Sequence, residues 1–68
     1  MSVYRVTEII GTSKTSWEDA AKEALAAAGS LRDLRVAEVV ELDIALNPKG
    51  EIEAYRSRLR VSFKYEKA

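Results

Sequence analysis

From Leu34 onward the chain alternates with period two for most of its remaining length, interrupted by Asn47-Pro48-Lys49-Gly50. This pattern constrains the fold more than any other feature of the sequence. Asn, Pro and Gly within four residues supply turn chemistry, so the two alternating runs read as one long β-hairpin. In the first run, Leu34, Val36, Glu38, Val40, Leu42, Ile44 and Leu46 share one face, and Arg35, Ala37, Val39, Glu41, Asp43 and Ala45 share the other. In the second run, Tyr55, Ser57, Leu59, Val61, Phe63 and Tyr65 oppose Arg56, Arg58, Arg60, Ser62 and Lys64. Closing the hairpin about its turn predicts Glu41 opposite Arg56 with Asp43 diagonal to it, so that charged faces meet and apolar faces meet.

Upstream, Val3 to Ile10 is rich in β-branched and aromatic residues and reads as a strand that stops at Gly11. Gly11-Thr12-Ser13-Lys14-Thr15-Ser16 is turn and cap chemistry, with capping-box spacing at Thr15 and Glu18 or at Ser16 and Asp19. A helix is predicted from Trp17 to Ala28, with Gly29 as a left-handed stop. Its apolar stripe is Trp17, Ala20, Ala21, Ala24, Leu25 and Ala28. The many alanines allow a close neighbour. A short connector follows at 30–33. A right-handed crossover places the first and second strands parallel, with the third antiparallel between them. The expected fold is therefore α+β, a β-α-β-β chain with a three-stranded sheet of order 1-3-2 packed on one helix, one domain over 1–68.

The lengths do not match. Twelve helical residues span roughly 18 Å, whereas thirteen strand residues reach roughly 43 Å. The helix cannot cover the hairpin, so either the hairpin wraps around it or Leu42, Ile44, Leu46 and Ile52 are sheltered by another copy. A 68-residue chain without staples often oligomerises for the same reason.

Composition narrows the function. Cys and His are both absent, which removes disulfides, thiolate and imidazole metal ligands and histidine-based triads, and leaves oxygen donors for calcium or magnesium. Eleven basic residues balance eleven acidic ones, so nucleic acid and anionic membranes are not expected partners. No stretch approaches a membrane span or a signal peptide, and a cytoplasmic location is the default. The loop at 11–16 lacks the second glycine of a phosphate-binding loop and reads as a capped turn. The arginine stripe reads as a ladder of ion pairs with Glu41 and Asp43. Glu38, on the otherwise apolar face, reads as an edge residue, a partner for an arginine or part of a site. Trp17 reads as a core or interface anchor. No nucleophile, base or cofactor fingerprint points to an enzyme.

The strand ending Glu8-Ile9-Ile10-Gly11-Thr12-Ser13, the helix with Trp17-Glu18-Asp19-Ala20-Ala21, the stretch Val36-Ala37-Glu38-Val39 and the closing Arg60-Val61-Ser62-Phe63 together resemble the dodecins. The resemblance implies a hollow homododecamer that stores or binds a small ligand such as riboflavin or FMN. It also implies ligand-site positions at Val36, Arg56 and Glu38. Val36 stands where flavin-binding members carry a stacking tryptophan, and Arg56 where they carry a glutamine. The sequence is similar to the subgroup without that tryptophan, described as calcium-binding, which implies the alternative of a flavin-free, calcium-binding or purely structural assembly. Glu8, Glu18, Asp19 and Asp43 are the oxygen donors available to calcium.

Overall fold

The computed structural model describes residues 3–30 and 34–64; the connector at 31–33 and Tyr65 lie outside them. Strand β1 spans Tyr4–Ser13, helix α1 Trp17–Ala27, strand β2 Leu34–Leu46 and strand β3 Ile52–Lys64. β3 lies between the other two and is antiparallel to both, giving the expected order β1-β3-β2. The helix packs on β1 and β3. Leu59, Val61 and Ala24 form the core cluster, with Ile9, Ala21 and Leu34 packed against it.

β1 runs past its predicted end. Gly11, Thr12 and Ser13 pair with Ser57, Arg56 and Tyr55, so Gly11 is a strand residue rather than a stop. A Cβ at Gly11 would collide with the Ala20 carbonyl oxygen and lie 2.8 Å from the Ala24 Cβ. The alanine stripe thus seats the helix directly on the strand backbone, which only a residue without a side chain permits. Ala20, Ala24 and Ala28 are buried along that contact.

Of the two predicted caps, Ser16 is the one used: its Oγ accepts from the Asp19 N–H at 3.0 Å. The Asp19 carboxylate does not return to Ser16. It accepts instead from the Ser13 hydroxyl at 2.7 Å, while Ser13 Oγ accepts from the N–H groups of Thr15 (2.9 Å) and Ser16 (3.4 Å). The other end departs from expectation. Ala28 closes the helix in a right-handed conformation, its N–H directed at the Ala24 and Ala26 carbonyls, and a 3-10 turn over Ala28–Ser30 follows. Gly29 is not the left-handed stop, because the tighter turn satisfies the terminal carbonyls.

At the hairpin turn, Gly50 has φ +80° and its N–H donates to the Asn47 carbonyl at 2.9 Å. The Asn47 side-chain oxygen accepts from the N–H groups of Lys49 and Glu51, both at 2.9 Å.

Register corrects the predicted faces. Asp43 pairs with Arg56, Glu41 with Arg58 and Glu38 with Arg60, so Glu41 is opposite Arg58 rather than Arg56. The ladder shifts between Leu34 and Val36 and again between Val39 and Glu41. Arg35 and Val40 are therefore bulged residues, and each reverses the alternation of the residues after it. Glu38 consequently lies on the charged face, and Val36, paired with Ser62, shares it. Leu34, Ala37, Val39, Leu42 and Ile44 lie on the inner face with Leu59 and Val61.

The single chain is long rather than round. Its extents are 51 × 17 × 16 Å and its radius of gyration is 14.2 Å, against about 11 Å for a compact domain of this length. Val39 (54%), Leu42 (49%), Ile44 (39%), Leu46 (60%) and Ile52 (55%) remain exposed. The uncovered apolar surface therefore includes the inner face of β2 as well as the tip of the hairpin.

Candidate functional site

The outer face of the sheet is built around β3. Strand alternation sends Arg56, Arg58 and Arg60 to this face, and carboxylates from both neighbours meet them. Arg60 reaches Glu8 on β1 at 3.1 Å and Glu38 on β2 at 3.5 Å. Arg58 reaches Glu41 at 3.2 Å and Glu8 at 3.5 Å. Arg56 holds Asp43 through two bonds, Nε to Oδ1 at 2.7 Å and Nη2 to Oδ2 at 2.9 Å, the fork geometry in which a guanidinium is most directional. Asp43 is also tied to the inner layer, since its carbonyl accepts from Trp17 Nε1 at 3.0 Å. Trp17 meets Tyr55 edge-on at 5.2 Å, and the Ser57 hydroxyl donates to the Trp17 carbonyl at 2.7 Å. Helix start, hairpin and outer ladder are thus joined through one residue pair, Trp17 and Asp43.

The ladder sets the local acidities. The Arg60 guanidinium, followed by that of Arg58, holds Glu8 below its usual value of 4.5, outweighing partial desolvation. Arg56 likewise holds Asp43 below its usual 3.8, and Asp43 raises Arg56 in return. For a carboxylate lowered in the folded state, the unfolded chain takes up protons first as pH falls, so stability declines with acidification. The melting temperature is therefore expected to hold from neutrality down to the ordinary carboxylate range and then to fall as pH drops through and below 4.5 and 3.8. In the Asp43→Asn variant the acid-side fall should begin less steeply. An unchanged acid limb would remove the ladder from the stability of the fold.

Val36 and Arg56 share the outer face but are not neighbours. Six residues of strand separate Arg56 from Ser62, the partner of Val36, or roughly 20 Å. A single copy therefore does not bring both to one ligand; a site containing both needs two copies. Val36 is 59% exposed in a row Val6–Ser62–Val36 across the three strands. That row offers aliphatic surface and no ring. Glu38 is engaged by Arg60, and Arg56 by Asp43. The other oxygen donors are also dispersed: Glu8 lies within the ladder, Asp19 is bound to Ser13 and Glu18 is exposed in the first helical turn. Among the described residues, no three carboxylates converge on a point where a metal ion could sit.

The arrangement of a short alanine-faced helix on an overhanging hairpin has close counterparts. The profile of the Dodecin family matches residues 3–66. This chain belongs to the dodecin family. A calcium dodecin of Mycobacterium tuberculosis is 55% identical over 69 residues, covering 100% of this chain and 96% of the relative. The crystal structure of a calcium dodecin from the same organism, described as a calcium-chelating immunodominant antigen with a novel calcium-binding site, superposes with a TM-score of 0.82 at 53% identity, covering 98% of this chain and 96% of that one. The dodecin from Streptomyces davaonensis gives a TM-score of 0.84 at 33% identity, covering 97% of each chain. The β-α-β-β fold with order 1-3-2 is thus shared across the family's calcium-named and other members. No helix among the described residues is long and apolar enough to cross a membrane.

The sequence pointed to the ladder but misassigned its rungs and placed Glu38 on the wrong face. The spacing of the acids held the missing signal. Glu38, Glu41 and Asp43 can oppose alternate arginines only if one extra residue lies between 38 and 41.

Proposed function

We propose that this dodecin is a non-enzymatic, cytoplasmic subunit of a hollow homododecameric shell, and that the ligand it handles is calcium rather than a flavin. The observation carrying the shell is the bare inner face of β2 and the hairpin tip, from Val39 to Ile52, in a family of assembling proteins. The calcium reading is supported by the 55% identity to a calcium dodecin. It is supported also by the aliphatic Val36, which gives a flavin ring nothing to stack on. Because the carboxylates of one copy do not converge, the calcium ligands are assembled from more than one copy.

Light scattering on the purified protein tests the shell: a particle near twelve times the 7.6 kDa chain is expected, and a folded monomer at every concentration would overturn it. Calcium at a hundred times its dissociation constant would add about 2.7 kcal/mol of stability by linkage, so a rise in melting temperature that a chelator reverses is expected. No shift at millimolar calcium would rule the metal out. Riboflavin fluorescence should remain unquenched at micromolar protein, and strong quenching would transfer the ligand assignment to flavin.

A further inference from the structure

The two ends of the elongated chain differ in a complementary way. At the tip, Leu46 and Ile52 are paired across the hairpin and exposed by 60% and 55%, and Glu51 and Glu53 flank them against Lys49. At the opposite end, where the end of the helix approaches the start of β2, lies an open apolar depression of about 150 Å³. It is lined by Leu25, Leu34, Arg35, Val36, Ala37 and the buried Val61. It exists because the Arg35 bulge turns the start of β2 away from the helix. The last rungs of the sheet beside it carry Arg5 and Lys64 on the flanking strands. One end is therefore apolar within an acidic setting, and the other is apolar within a basic one.

From this complementarity we infer that the shell is built head to tail, with the hairpin tip of one copy seated in the depression of the next. The inference rests on the shell reading and names the surfaces that make it. A tip meeting another tip would bring Glu51 and Glu53 of both copies together, which like-charge repulsion opposes. Tip in depression instead brings aliphatic groups into an aliphatic hollow and sets acids beside Arg5, Arg35 and Lys64. Such a contact uses two different patches, so it propagates from copy to copy and ends only when the rotation closes a ring.

The chain has no cysteine, so an introduced pair reports this contact without interference. In the double variant Ile52→Cys, Ala37→Cys, mild oxidation of the assembled protein is expected to give covalent multimers beyond the dimer on a non-reducing gel, while each single variant gives none. Positions 52 and 37 of one copy are about 30 Å apart along the sheet, beyond the reach of an internal disulfide. A particle of full mass in which the double variant does not cross-link would overturn the head-to-tail contact and leave the shell standing. Dimers from Ile52→Cys alone would show tips meeting tips and overturn it as well. If the double variant does not assemble, carbodiimide treatment of the unaltered shell decides. A bond between Lys64 and Glu53 or Glu51, identified by peptide mass, is expected and can form only between copies, and its absence overturns the inference. A monomer by light scattering would instead remove the shell reading itself.

Discussion

Replacing Gly11 by alanine is expected to cost about 3 kcal/mol, the upper end of what overpacking a close contact costs, and to lower the melting temperature by roughly 12–24 °C at this chain length. The added methyl would meet the Ala20 carbonyl oxygen, a backbone atom fixed by the helix, and the Ala24 side chain at 2.8 Å. Neither can swing aside as a flexible side chain could. Relief requires lifting the helix from the strand, which would open the contact holding Ala20, Ala24 and Leu59 out of water. Gly29→Ala is the matched control. A methyl there meets nothing within 4 Å, and the position needs no left-handed conformation, so thermal unfolding followed by circular dichroism should show a change within about 1 kcal/mol. Equal losses at the two positions would mean that the helix does not rest on the strand backbone.

Ile44→Asp is expected to dissociate the assembly while sparing the chain's secondary structure. In one copy Ile44 is 39% exposed on the inner face of β2 beside Tyr55, so a carboxylate there stays hydrated in the monomer. In the shell the same carboxylate would be sealed against another copy's apolar surface without a partner. Burying an isolated charge in that way costs several kcal/mol, and the cost recurs at every copy. Light scattering should show the mass falling to that of small species, with a circular dichroism spectrum still of mixed strand and helix. A variant that retained the full mass would show that this strip is not a contact between copies.

Much of the architecture was legible because it depends on local chemistry. The turn at Asn47 to Gly50, the helix from Trp17 and the Ser16 cap each follow from residues adjacent in sequence, and the 1-3-2 order follows from the handedness of the crossover. What escaped was set by packing at a distance. Gly11 reads as a strand end until the alanine face of the helix is placed on it. Gly29 reads as a left-handed stop, yet the chain tightens into a 3-10 turn there instead. The faces of β2 were misread because apolar residues occur on both sides of Val40, so a slip by one position leaves the hydrophobic pattern almost unchanged. Val36 and Arg56 were grouped by resemblance alone, and only the strand register shows the distance between them.

The bulges at Arg35 and Val40 have a consequence for how the chain behaves in crowded solution. β2 is a thirteen-residue strand at the margin of the sheet, rich in Val, Leu and Ile, the kind of segment that templates fibrils when its outward row of amides and carbonyls is regular. Two extra residues break that row and add local twist, so an incoming strand finds only short matching stretches. The same sequence can thus remain greasy enough to form a finite particle and still resist open-ended growth into amyloid.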